Sequence, residues 1–502
     1  MPAPGRIGAV LVAAISLLIG LVVIRPFTDV PVGFDSQATV LYFERIVAGS
    51  RLEQALTTTP KPLLTLVYGP LHAATGDWRP IIWLTMLVHA GAAGLATVVW
   101  TRAAGLPAGM AAGIFVAGTP LLIEDTAFGN GVPWALFGWL LAALLLSGDR
   151  PRPVVAGVVL AFAALARLET LVLVAGFALA LAWLRWGPWP LPGPRPSLRP
   201  RAWLALAIPV LALPAMLLHD WLLTGDPLFW LAVSQRYSDA VRASRDVLDP
   251  LERTTWFVRR YLALWPVLPF ALIGLVELVR SRRWGELTGL AVMGAGIAAF
   301  LVLLAARGIY APHRYAIPVD VAVLFAAAVG FGWLVDLAAA RVGRGSIGRS
   351  AATGAAFLAV IGAIAIPGRG PFDPQLARVV GDLRAVNEHA ARVAATIRSS
   401  GGPSTAARLA LLVPTAVRPR AAIDLDLPLD RVGSLSPGWL DPATADWVPG
   451  QLVFHDLRGD LPRGAYTAIE SADTVQIGEV RLEPRMVDAH AGIWLFEVAP
   501  GP

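Results

Sequence analysis

PVVAGVVLAFAALARLETLVLVAGFALALAWLRW, residues 153–186, decides how the rest of the chain is threaded. As a single helix its 34 residues would run about 51 Å, against about 30 Å of bilayer hydrocarbon. A single helix would also put Arg167 and Glu169 in mid-membrane, at a cost of several kcal/mol. Two short spans, 153–166 and 168–185, with a turn at Arg167–Glu169 fit better. Arg167 and Glu169 then pair with each other or face one cavity. Every later loop takes its side of the membrane from that turn.

Nine further apolar runs flank this one, at 7–25, 80–101, 107–123, 131–147, 202–221, 262–280, 286–306, 316–340 and 351–367. With the two short spans they make about eleven. The composition agrees: 56% of the 502 residues are hydrophobic, 15% are charged, and the mean hydropathy is +0.63. Ordinary soluble domains carry about 25% charged residues. These values exclude a disordered or coiled-coil chain and point to a polytopic helical membrane protein. With no cysteine, disulfides, thiolate metal sites and cysteine nucleophiles are excluded. The net charge of +6 comes from scattered residues, which is not a nucleic-acid footprint.

The first apolar segment reads as a retained span, since it runs into Arg25-Pro26 without a small-residue cleavage site. The segment 62–75, about 14 residues, reads as a re-entrant or interfacial helix. The Pro-rich stretch 187–200, within WGPWPLPGPRPSLRP, is a stiff surface connector. Arginines fall in the loops of both faces, so the positive-inside rule does not choose an orientation. Past residue 368 the apolar runs shorten and acidic residues recur. Residues 375–398 read as an amphipathic helix, and β-like runs follow at 408–413, 451–455, 466–470, 476–481 and 493–498. The expected architecture is an all-α polytopic membrane domain, 1–367, followed by a small soluble α/β domain, 368–502.

The loop 26–79 holds the most informative residues. In VPVGFDSQATVLYFERIVAG, 30–49, Asp35 precedes a helical pattern with Ala38, Leu41, Tyr42 and Ile46 on one face. Asp35 is either the N-cap of that helix or a functional carboxylate. In TTTPKPLLTLVYGPLHAATG, 57–76, Lys61 lies between Pro60 and Pro62 and is the one lysine of the chain. It is either a snorkelling anchor or a rigidly held cation for an anionic lipid headgroup.

Three other clusters share that side of the membrane by the crossing count. LLIEDTAFGNGVPW, 121–134, places Glu124 and Asp125 together in a loop. They are solvated acids, or carboxylates that act as a base, a partner to one, or a metal site. RGIYAPHRYAIP, 307–318, brings His313, Arg314 and Tyr315 to an apolar segment. A guanidinium there suits bidentate phosphate binding, and an interfacial Tyr–Arg belt is the plainer reading. The long loop 222–256 carries Gln235, Arg236 and Tyr237, which line a groove or belong to a cover over it. No P-loop, nucleotide fingerprint, HExxH or GxSxG with partners is present. Sugar transfer from a lipid phosphate needs none of these. It needs a base for the acceptor hydroxyl and cations for the leaving phosphate.

A first span, an outer loop with Asp near its start, an amphipathic helix and then a KPxL segment ending in Gly form a pattern. It resembles the GT-C superfamily of polyprenyl-phosphate-sugar-dependent glycosyltransferases. That superfamily includes protein O-mannosyltransferases, aminoarabinose lipid A transferases and actinobacterial arabinofuranosyl and mannosyl transferases. The resemblance covers roughly 1–185, with the Arg-Tyr-x-x-Pro element at 314–318 matching more loosely. It implies that Asp35 is the catalytic base and that Lys61 contacts the lipid phosphate. Here Asp35-Ser36 stands where the superfamily often has two acids, and Lys61-Pro62-Leu63 where it has KPP. Glu124 and Asp125 also lie nearer the preceding Pro120 than usual. The resemblance implies an outward-facing site, with the loops 26–79, 124–130, 222–261 and 307–315 and the C-terminal domain outside the cell membrane.

The expected function is therefore transfer of a sugar, with inversion, from a polyprenyl-phosphate donor to a hydroxyl of an extracytoplasmic glycan, lipid or protein. Lys61 and Arg314, with His313 and Tyr315, would hold the donor phosphate. Asp35 would be the base, and Glu124 or Asp125 would position the acceptor or a divalent cation, Mg or Mn. Rivals from other classes are a transporter or flippase, a polymerase or ligase of lipid-linked glycans, and a noncatalytic envelope scaffold.

Overall fold

The computed structural model describes residues 4–24, 32–52, 59–147, 150–186, 203–235, 267–307 and 313–342, and shorter stretches between 381 and 499. Its contacts divide the chain into two units. One comprises 1–26, 82–215 and 248–376, and the other 27–81, 216–247 and 377–502.

The helices in chain order are α1 (Pro4–Ile24), α2 (Phe34–Val47), α3 (Pro62–Thr75), α4 (Arg79–Ala104), α5 (Leu106–Gly118), α6 (Pro120–Ala127), α7 (Val132–Leu146), α8 (Pro153–Ala166) and α9 (Glu169–Trp186). After them come α10 (Leu204–Thr224), α11 (Leu268–Arg280), α12 (Trp284–Leu304) and α13 (Ile317–Val342). Among the described residues four helices are long and apolar enough to cross a membrane, or five if α5 and α6 form one bent span.

The first unit is a helical bundle cored by residues of α1, α4, α5, α7, α11 and α13, among them Val12, Ala96, Trp100, Ile114, Leu136, Leu278 and Phe325. Small residues let its backbones touch. A Cβ on Gly274 would lie 1.9 Å from the Ala326 carbonyl, and one on Gly330 1.9 Å from the Phe270 carbonyl. This reciprocal pair brings α11 and α13 into backbone contact, as in small-residue helix crossings within membranes. The turn expected at Arg167–Glu169 is present, because α8 ends at Ala166 and α9 begins at Glu169.

One expectation in this unit is overturned. Glu124 and Asp125 do not lie in a loop 124–130; both belong to α6. Thr119 is extended (φ −70°, ψ 119°) before Pro120, which opens the new helix, and the axis turns by 49°. A residue before proline avoids the helical region, so the apolar run breaks there rather than at the acids. His89 on α4 holds the broken pair: its Nε2 lies 2.9 Å from the Val116 carbonyl oxygen and its Nδ1 2.7 Å from Thr126 Oγ1.

The second unit contains α2, α3, the end of α10 and the C-terminal strands. Helix α3 matches the short segment read at 62–75. Leu52 N–H donates to the Leu223 carbonyl at 2.7 Å, tying the first loop to the end of α10. A further helix, α14 (Arg418–Leu425), packs on α2, and Arg45 Nη2 donates to the Leu427 carbonyl at 2.9 Å. The strands are β1 (Leu409–Leu412), β2 (Val432–Gly433), β3 (Leu452–Asp456), β4 (Val475–Ile477), β5 (Val480–Asp488) and β6 (Ile493–Val498). They form one mixed sheet of order β2-β1-β3-β6-β5-β4. The parallel pair β1–β2 is joined through α14, as a parallel pair requires. Pro484 cannot donate to the ladder, and the β5–β6 register shifts between Pro484 and Met486. The run 466–470 and nearly all of 375–398 lie outside the described residues.

Candidate functional site

Asp35 and Lys61, 26 positions apart, meet in the second unit. Lys61 Nζ donates to Asp35 Oδ2 at 2.8 Å, with 4% and 14% of the two side chains exposed. Local sequence explains how each is placed. Gly33, not Asp35, is the N-cap of α2, and it makes no side-chain cap. Asp35 sits within the first turn, where a carboxylate faces the positive end of the helix dipole. Lys61 is the N-cap of α3, followed by Pro62 at the first helical position. The plain N-cap reading of Asp35 is thereby corrected: its carboxylate is bound by the lysine.

The two helices are in very close contact further along. A Cβ on Gly69 would lie 2.1 Å from Phe43 Cβ and Cγ. Phe43 and Gly69 each lie eight residues beyond the members of the ion pair. So α2 and α3 run parallel, with their N-terminal ends held together by Asp35 and Lys61.

Behind this pair stand polar residues that sequence reading missed, His219 and Asp220 on α10. Both are buried, at 5% and 6% exposure. His219 Nε2 is 3.1 Å from Thr65 Oγ1, and Nδ1 is 3.3 Å from Asp220 Oδ1. The ring meets Tyr42 edge-on at 5.8 Å between centroids. Asp220 Oδ2 accepts the Trp230 N–H at 3.0 Å. The only sequence signal was two ionisable residues inside the apolar run 202–221.

In the same unit His72 packs on Trp78, with ring centroids 4.2 Å apart. Burial pushes its imidazole below the ordinary range, while the Asp424 and Asp77 carboxylates act the other way.

The first unit gathers a second set. Arg167 pairs with Glu169 through both Nε and Nη2, and both side chains are 6% exposed. The Arg167 guanidinium lies over the Tyr315 ring, 5.2 Å from its centroid. The sequence alternatives for Arg167 and Glu169 thus resolve to direct pairing. His313, Arg314 and Tyr315 form a 3₁₀ turn, His313–Ala316, at the start of α13. Asp125 is buried, and Asn130 Nδ2 donates to its Oδ1 at 2.6 Å. The stretch read as a long loop is helical at 229–235, where Gln235 is exposed, whereas Arg236 and Tyr237 lie outside the described residues. Among the described residues no three His, Asp or Glu side chains gather as a cation site, and one oxygen of Asp125 is engaged by Asn130. The described acids therefore do not fit a divalent cation unaided.

No protein-family model matches the chain, and no curated protein matches it by sequence. Solved structures do match. The oligosaccharyltransferase of Archaeoglobus fulgidus in its apo form aligns with a TM-score of 0.56 at 12% identity, over 89% of this chain and 69% of that one. The oligosaccharyltransferase AglB from the same archaeon, in complex with an inhibitory peptide and a dolichol-phosphate, aligns with a TM-score of 0.55 at 12% identity, again over 89% and 69%. ArnT from Cupriavidus metallidurans aligns with a TM-score of 0.51 at 13% identity, over 85% of each chain. A further structure of the archaeal enzyme contains Zn and sulfate. These likenesses show a GT-C-like fold.

Proposed function

We propose that this GT-C-like chain is an integral membrane glycosyltransferase that takes its sugar from a polyprenyl-phosphate donor. The observation that carries the reading is the part-buried Asp35–Lys61 pair at the joined ends of α2 and α3. A carboxylate and an ammonium brought together from sites 26 residues apart supply the two groups such a transfer needs: a proton acceptor and a cation for the leaving phosphate. The archaeal neighbour solved with a dolichol-phosphate supports a lipid phosphate as the donor class.

In the free protein the ammonium covers one carboxylate oxygen. A donor phosphate that draws Lys61 toward itself uncovers that oxygen. The acceptor hydroxyl oxygen then attacks the anomeric carbon and its proton passes to Asp35. The bond from the anomeric carbon to the phosphate oxygen breaks, and its electron pair leaves on polyprenyl phosphate. A single displacement inverts the anomeric centre. No step is routed through a divalent cation.

The finer reading includes about eleven spans, an outward-facing site in the cell membrane, and an extracytoplasmic region from 368 that meets the glycan, lipid or protein acceptor. The test is donor turnover by purified protein in detergent. A panel of labelled polyprenyl-phosphate sugars is offered with crude envelope glycan, and free polyprenyl phosphate is measured. One donor should be consumed, and Lys61→Gln should raise its KM strongly. Full turnover in Lys61→Gln would overturn the assignment of Lys61.

A further inference from the structure

His219 touches both helices that carry the ion pair. It reaches α3 through Thr65 and α2 through Tyr42, while Asp220 fixes the far side of its ring. Thr65 in turn belongs to the turn that sets Lys61. Its N–H donates to the Lys61 carbonyl at 3.0 Å, and its hydroxyl lies 3.3 Å from the same oxygen. A threonine hydroxyl has one proton to give. If it donates to Lys61, it accepts from His219 Nε2–H, and Nδ1 of the neutral ring then has no proton to give Asp220. If it donates to His219, the Lys61 carbonyl keeps only the backbone bond. In either arrangement the ring dictates where the Thr65 hydroxyl points.

We propose that Asp220, His219 and Thr65 form a positioning relay that fixes the first turn of α3 and so aims the Lys61 side chain. None of the three is catalytic in this role. Asp220 is itself anchored by the Trp230 N–H, so the relay begins on backbone and ends on backbone. The catalytic consequence rests on the reading in which Lys61 holds the donor phosphate, whereas the relay's effect on Lys61 does not depend on it.

The chain offers a direct readout, because Lys61 is its one lysine. The rate at which an amine-selective acylating reagent modifies Lys61 is measured by peptide mass spectrometry against an added model peptide amine. Thr65→Val keeps the shape and removes the hydroxyl, and Thr65→Ser keeps the hydroxyl. The relay predicts faster acylation in Thr65→Val and His219→Ala and near-normal rates in Thr65→Ser and His219→Gln. The donor KM should rise about five- to tenfold in Thr65→Val, the worth of one hydrogen bond, with a smaller change in kcat. Unchanged acylation in a folded Thr65→Val protein overturns the relay. So does a fall in kcat at constant KM, which would make the hydroxyl part of the chemical step. If acylation responds but Lys61→Gln turns over donor normally, the relay stands and the phosphate-binding role of Lys61 falls.

Discussion

Gly69→Ala puts one methyl group where the structure has no room for it. The new Cβ would lie 2.1 Å from Phe43 Cβ and Cγ and 2.6 Å from Cδ1, whereas ordinary contact starts at 3.4 Å. Phe43 Cβ is fixed to the backbone of α2, so no rotamer change relieves the overlap. The helices must part by roughly 1.3 Å, the difference between those two distances. If that displacement reaches their N-terminal ends, the Asp35–Lys61 distance grows from 2.8 Å to about 4.1 Å. At an effective dielectric constant of about 20, that opening weakens the attraction by about 2 kcal/mol. Overpacking adds about 1–3 kcal/mol, and the better helix propensity of alanine returns about 1 kcal/mol. The net expectation is a loss of about 2–4 kcal/mol. The apparent midpoint of thermal unfolding in detergent should fall by several degrees, and donor turnover should fall with it. An unchanged midpoint and unchanged turnover would refute the packing of α2 on α3 and the parallel geometry drawn from it.

Gly289→Ala is the matched control, since nothing lies within 4 Å of the new Cβ in α12; its midpoint should stay level or rise slightly. Glu169→Gln leaves the Arg167 guanidinium buried without its carboxylate and should cost about 3–5 kcal/mol, read as a lower unfolding midpoint. The double variant Arg167→Met/Glu169→Leu should recover most of that loss, because it removes both charges together. His72 is held below its ordinary range by burial, so the unfolded chain binds the proton more tightly than the folded one. Stability should therefore fall as pH drops from about 7 through the ordinary histidine range near 6.5, and His72→Gln should flatten that dependence.

Helix α3 could be read from Pro62 at its start and Gly76 at its end, which is left-handed at φ 64°. The turn at Arg167–Glu169 followed from the cost of burying two charges in a helix too long for the bilayer. Three of the five β-like runs, 408–413, 451–455 and 493–498, coincide with single strands, because apolar alternation and bounding prolines and glycines mark them locally, whereas the run 476–481 covers the turn between the antiparallel strands β4 and β5. The acids at 124–125 were misplaced because hydropathy runs on smoothly through Thr119–Pro120, while the backbone breaks there. The resemblance gave Asp35 and Lys61 separate roles, but their pairing was not legible, since 26 positions of loop and helix separate them. His219 and Asp220 were lost inside an apolar run: spacing along one helix does not tell which of its polar side chains meets Thr65 on another.

The central claim is that Asp35 accepts the proton of the acceptor hydroxyl. The measurement that tests it most directly is the release of free polyprenyl phosphate from the active donor by wild type and Asp35→Asn. Asparagine keeps the size and a carbonyl oxygen for Lys61 but cannot take up a proton under these conditions. The account predicts a fall in kcat of about a hundredfold or more, with the protein still folded. Turnover equal to wild type in Asp35→Asn would contradict it and leave Asp35 as no more than the anchor of Lys61.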